Sequence, residues 1–175
     1  MYDKIKLQDD KNPNEWIEEA ISKNHIKYYD YKHFTNIEKI GNNSFEKVYR
    51  ANWKNSEQCF ALKSFLNFNN LTVKEILHEF ELQRKVDFHN NIIHLYGITA
   101  KESLNSQLKK YLLVMEYVYG NSLQNYIKET FENLTWEDKY KLAYQLTCVV
   151  SHLHDKGIVH GDLVILLLLL PLIHL

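Results

Sequence analysis

A lysine sits in an otherwise apolar stretch, Phe60-Ala61-Leu62-Lys63, and an ammonium group taken out of water without a partner is costly. Two readings follow: strand alternation turns Lys63 to solvent, or Lys63 faces an anion and is itself held by an acid. For the second reading the acid is Glu79, beside Ile76 and Phe80 in a stretch with helical spacing. Glu75 and Glu81 compete, but Glu75 is taken by a helix cap and Glu81 points elsewhere on the helical wheel. Two further stretches carry matching chemistry. Ile40-Gly41-Asn42-Asn43-Ser44-Phe45-Glu46-Lys47-Val48-Tyr49 sets a glycine in a turn between two strand-like runs. Glycine there lets backbone N–H groups approach a phosphate without a side chain in the way, although an ordinary hairpin turn explains the stretch equally well. Ile158-Val159-His160-Gly161-Asp162-Leu163 sets a carboxylate, Asp162, two residues after a histidine, a spacing that is common by chance. A paired lysine, a turn for phosphate and a carboxylate base are parts that phosphoryl transfer from a nucleotide requires.

Other chemistries fare less well. His152 and His154 are two apart, so on a helix they face different directions, and neither Cys-x-x-Cys nor His-Glu-x-x-His spacing is present among the nine histidines and two cysteines. No metal site is expected. A formal net charge of -1 gives no basic excess for nucleic acid or an anionic membrane. Cys59 and Cys148 lie far apart in apolar stretches, and Met1-Tyr2-Asp3-Lys4 has no apolar signal core. Both thiols are therefore expected to be buried and reduced, in a cytoplasmic setting.

The elements that must position these residues can be read from periodicity. Hydrophobic content of 45% and charged content of 25% over 175 residues suit one globular domain. Residues 1–33 form a polar and aromatic extension, with a short helix over Asn14–Ile21 and Pro13 just ahead of it. The Tyr28-Tyr29-Asp30-Tyr31 cluster packs on the domain or merely fills surface, with filler the favoured reading. Strands are expected over Phe34–Ile40, Lys47–Trp53 and Gln58–Phe65, joined by short loops into an antiparallel meander. A helix follows, opened by a Thr72–Glu75 capping box and carrying Val73, Ile76, Leu77 and Phe80 on one face. Strands at Ile92–Thr99 and Lys110–Glu116 come next. Beyond Gly120 the pattern is helical: a short helix over Ser122–Glu129, then a long one over Trp136–His154 with Tyr140, Ala143, Leu146, Val150 and Leu153 on one stripe. Gly157 ends it.

In chain order these stretches resemble the eukaryotic protein kinase domain. The turn after Ile40 resembles the glycine-rich loop at Gly41 and Val48, with Asn43 and Glu46 at the later glycine positions. Phe60-Ala61-Leu62-Lys63 resembles Val-Ala-Ile-Lys. His89-Asn90-Asn91-Ile92-Ile93 resembles the turn between the lobe's helix and its fourth strand. Leu112 through Leu123 resembles the last small-lobe strand, gatekeeper and hinge, and Ile158–Leu163 resembles His-Arg-Asp-Leu, with Gly161 in place of the arginine. The hinge and the His-x-Asn-Ile turn lean toward the tyrosine-kinase-like group.

The resemblance implies an α+β fold: a small lobe over residues 34–118, with a five-stranded antiparallel sheet and one helix, then a hinge and the first helices of the large lobe over 119–163. It implies ATP as cofactor, held by Ile40, Gly41, Val48, Ala61, Lys63, Met115, Glu116 and Val118, with Met115 as gatekeeper and Glu116 and Val118 offering backbone groups to adenine. It also implies Lys63, Glu79 and Asp162 as the catalytic set, and a protein substrate or partner.

Past Asp162 the resemblance stops. Val164 and Leu167 stand where the family places Lys or Ala and a Mg²⁺-binding Asn, no Asp-Phe-Gly follows, and residues 164–175 are an apolar tail. Mg²⁺ is thus expected for the family but its ligands are not found, and the chain is expected not to transfer phosphate. A pseudokinase-like nucleotide-binding or interaction module and a non-functional truncated product remain open alternatives. The tail is too short for a membrane span, which needs about 20 apolar residues. It reads either as a buried replacement element limited by Pro171 or as the product of a shifted reading frame or a retained intron.

Overall fold

The protein is described by a computed structural model over residues 13–42, 46–54, 56–65, 70–86, 91–103, 106–119 and 123–158. Alternation of large apolar and smaller or polar residues builds the central strands. In β4 (Cys59–Phe65), Phe60, Leu62 and Ser64 are buried while Cys59, Ala61 and Lys63 are half-buried. In β6 (Ser106–Glu116), Tyr111 through Val114 are all buried, the mark of a strand covered on both faces. With β1 (Tyr28–Tyr29), β2 (Phe34–Asn42), β3 (Glu46–Trp53) and β5 (Leu95–Ser103), they form one six-stranded sheet in the order β1-β5-β6-β4-β3-β2.

Strands β2 to β6 pair antiparallel and form the expected five-stranded sheet. The sixth strand is an addition from the N-terminal extension: Tyr28 and Tyr29 run parallel to Ile98 and Thr99. Gly97 permits this, because a Cβ there would stand 2.2 Å from the Lys27 carbonyl oxygen, an oxygen that accepts a 2.9 Å bond from the Ile98 N–H. The surface-filler reading of the tyrosine cluster is corrected here. Tyr29 is buried, its ring edge-on to Trp53 at 5.1 Å and tilted against Phe60 at 5.7 Å. With Phe34, Ala51, Leu62, Leu112 and Val114 these rings make one of the cores. Pairing between distant segments decided this, and the local sequence does not announce it.

Helix α1 (Pro13–Ser22) begins on its proline and buries Trp16, Ile17 and Ala20. It ends where Asn24 takes a left-handed φ of 55°, a conformation asparagine tolerates at helix ends. These residues meet Val73, Ile76 and Leu77 of α2 (Asn70–Val86) and Ile98, Ala100, Tyr111 and Leu113 of the sheet. Thr72 does not cap α2: the helix starts at Asn70, so Thr72 already has helical backbone, and an N-cap residue does not.

The capping box appears instead on α4 (Trp136–Asp155), preceded by α3 (Leu123–Thr130). There the Thr135 Oγ1 accepts from the Asp138 N–H at 3.1 Å, and an Asp138 carboxylate oxygen accepts from the Thr135 N–H at 3.0 Å. The buried stripe of α4 is also rotated from the expected one. Val149 and Leu153 are buried, with Leu142, Leu146 and Val150 packed beside them against Leu82 and Val86 of α2. Tyr140 is turned out, 71% exposed, alongside Trp136 at 86%. Gly157, at φ 70°, follows the helix end as expected. Among the described residues no helix is long and apolar enough to cross a membrane.

Candidate active site

The residues expected to hold a nucleotide come from four strands, and strand register brings most of them together. Gly41 lies opposite Val48, Val48 opposite Lys63, and Lys63 opposite Leu113, a single row across β2, β3, β4 and β6. The next row sets Arg50 opposite Ala61 and Ala61 opposite Met115. Because side chains alternate between faces, Val48, Ala61, Lys63 and Met115 share one face. Leu113, on that same face, is packed by α2. Lys63 is half-buried and engaged. Glu79 lies on α2, the helix that covers the Lys63 face, but it is exposed, and among the described residues no ion pair joins it to Lys63.

Around these rows the remaining residues differ in how the fold constrains them. Ile40 is 48% exposed. At Gly41 a Cβ would meet the Val48 Cβ at 3.5 Å, an ordinary contact, so packing does not require glycine there. Glu116 ends β6 with two bonds to the segment ahead of β5: its N–H donates to the His94 carbonyl at 2.8 Å, and its carboxylate accepts from the His94 N–H at 3.2 Å. This fastens the strand end from which the chain passes to half-buried Val118. Asp162, with His160, Gly161, Val164 and Leu167, lies outside the described residues, as do Asn43 to Phe45 of the turn.

One cluster at this end of the face was not singled out from sequence. The Arg50 guanidinium donates to the Cys59 Sγ at 3.6 Å and sits 5.4 Å from the Tyr117 ring centroid. Tyr117 and Tyr119 pack edge to face at 4.9 Å. The Tyr119 hydroxyl bonded to Cys59, and after it Arg50, hold the thiol below its ordinary value. Both cysteines are free and half-buried rather than buried. The signal was available: Val48 and Arg50 are two apart in a strand, so a reading that puts Val48 on the site face puts Arg50 there too.

A lysine-bearing row, a small side chain opposite a methionine, and a strand end leading into a short connection to helices are thus assembled on one sheet face. The protein kinase domain family matches residues 34–165. The chain belongs to the protein kinase family. A "Probable serine/threonine-protein kinase" of Dictyostelium discoideum is 32% identical over 140 residues, covering 77% of this chain and 14% of that protein. LIM domain kinase 1 of Drosophila melanogaster is 29% identical over 126 residues, or 72% of this chain and 10% of its own length. Dual specificity testis-specific protein kinase 2 of Homo sapiens is 30% identical over 126 residues, or 72% and 20%. This kinase chain therefore spans between 10 and 20% of the length of these relatives. In kinase terms, β2 to β6 with α2 are the small-lobe sheet and helix, and α3 and α4 are the first helices that follow the hinge.

Proposed function

We propose that this chain binds ATP on the sheet face that carries Lys63, and that in the protein it represents this face serves ATP-dependent protein phosphorylation. The observation that carries the reading is the register aligning Gly41, Val48 and Lys63 in one row and Ala61 with Met115 in the next. In this reading Val48 and Ala61 pack on the adenine ring, Met115 bounds the pocket behind it, and the backbone groups of Glu116 and Val118 hydrogen-bond its edge. Lys63 neutralises charge on the α- and β-phosphates. Glu79 reaches Lys63 once the nucleotide is in place, a closure requiring its carboxylate to leave solvent. Asp162 accepts the proton of the acceptor hydroxyl.

A second reading, nucleotide binding without transfer, is favoured by one residue. Mg²⁺ spreads the charge that develops on the transferring phosphoryl group in this family. Leu167, five residues after Asp162, has no side-chain oxygen to offer it. The donor chemistry at that position does not fit the metal, and no step is derived through it.

Calorimetric titration of the full chain with ATP, with and without Mg²⁺, tests binding. Saturable binding that is lost in Lys63→Met supports the site, and a folded protein that binds no ATP overturns it. A radiolabelled γ-phosphate assay separates the two readings: transfer abolished by Asp162→Asn selects the enzyme, and no transfer selects the binding module.

A further inference from the structure

On the sheet face opposite Lys63, a cavity of about 290 Å³ opens over the buried side chains of Leu62, Ser64 and Leu112. Tyr31, Tyr49 and Ile37 form its apolar and aromatic walls, and Lys101, Lys110 and Glu102 its charged side. Lys101 and Lys110 are direct cross-strand partners in the β5–β6 ladder, an arrangement in which like charges disfavour the fold. Lys110 is half-buried, and burial first, then the charges of Lys47 and Lys101, push its amine below the ordinary value.

Some lysines elsewhere meet acids: Lys109, the preceding residue, meets Glu18 at 2.7 Å, and Lys32 meets Asp30 at 2.7 Å. Among the described residues no carboxylate pairs with Lys110, and Glu102 makes no ion pair with either lysine although it lines the same space. Lys101 instead lies over the Tyr31 ring at 5.6 Å. Two ammonium groups thus stand beside an aromatic recess with one carboxylate, Glu102, in the same lining, and among the described residues no ion pair joins them.

We propose that this cavity binds a small aromatic anion, a ring bearing a carboxylate or phosphate. The anionic group sits between Lys110 and Lys101, and the ring lies against Tyr31 and Tyr49 over Leu62 and Leu112. The cavity is at the small end of the range that takes low-molecular-weight ligands, which suits one ring or two fused rings. An anion at this place turns the Lys101–Lys110 repulsion into attraction, so ligand binding and stability rise together. The site is independent of the nucleotide reading, since alternation puts it on the other side of the sheet.

The test uses the full chain with 2-naphthoate and phenyl phosphate as probes, followed by ligand-observed NMR and thermal shift. Inorganic phosphate and 2-naphthol serve as the charge-only and ring-only controls. Both probes are expected to bind saturably and more tightly than either control, with affinity falling as salt rises. Lys110→Gln is expected to weaken them about tenfold or more, the loss of a charge-assisted hydrogen bond, while Lys63→Met leaves them unchanged and ATP does not displace them. A variant-free readout is acylation of the amine at pH 8: Lys110 is expected to label ahead of other lysines and to be protected by 2-naphthoate. Four results overturn the proposal: no saturable binding to folded protein, binding retained in Lys110→Gln, displacement by ATP, or Lys110 labelling that the probe does not alter.

Discussion

From alternate residues of the same strands, the sheet presents two unlike faces. One carries Val48, Ala61, Lys63 and Met115, all of them half-buried. The other carries Tyr49, Phe60, Leu62 and Val114, sealed at one end by Tyr29, Phe34 and Trp53 and open at the other beside Lys101 and Lys110. The face proposed to hold ATP leaves these side chains half-buried beside α2. The face meant to hold the fold is filled by rings. Stability and function are therefore separable by substituting neighbours one residue apart.

The largest expected effect is on the aromatic face. Phe60→Ala removes a ring that contacts Tyr29, Phe34, Trp53 and Tyr96 and is expected to lower stability by about 3–5 kcal/mol in urea unfolding. Its residual folded fraction should still bind ATP. Next is Gly97→Val, which drives a side chain into the Lys27 carbonyl. Overpacking of this kind costs about 1–3 kcal/mol, and hydrogen exchange should show the Ile98 amide losing protection as β1 detaches. Lys63→Met should change stability by about 1 kcal/mol or less while removing ATP binding; a large loss of stability instead would mean that the open face also carries the fold.

The smallest effect lies off the sheet and serves as its control. Thr135→Ala removes the cap of α4 and should lower the thermal midpoint slightly at neutral pH without touching either face. The bond from Thr135 holds the Asp138 carboxyl below its usual value of 3.8, so the stability it adds is present above that value and fades as pH falls through the lower folded one. The gap between wild type and variant should narrow as pH falls through that lower folded value, leaving the pH-independent part that comes from the Asp138 N–H bond to the Thr135 Oγ1.

How much of this was legible depended on whether the cause was local. Lys63, Ala61 and Met115 are read correctly as strand residues because alternation is a property of the strand itself. Helices α1, α3 and α4 fall where proline and apolar spacing put them, within a residue or two. Thr72-x-x-Glu75 and Thr135-x-x-Asp138 carry the same local signal, yet only the second is a capping box. The start of α2 at Asn70 lies upstream of the pattern, so the motif fell inside the helix. Tyr29 and Gly97 were not legible at all, because the extension's pairing to β5 joins residues about seventy apart in sequence. Glu79 was read onto the right helix, but the contact with Lys63 depends on a side-chain placement that helical spacing does not set.

The most direct measurement is a methyl NMR titration of the full chain with ATP, comparing Val48, Ala61 and Met115 with Leu62, Leu112 and Val114. The first three should shift together and saturate, and the second three should stay in place. Shifts confined to the second set, or none in a folded sample, would contradict the assignment of the nucleotide to the face that carries Lys63.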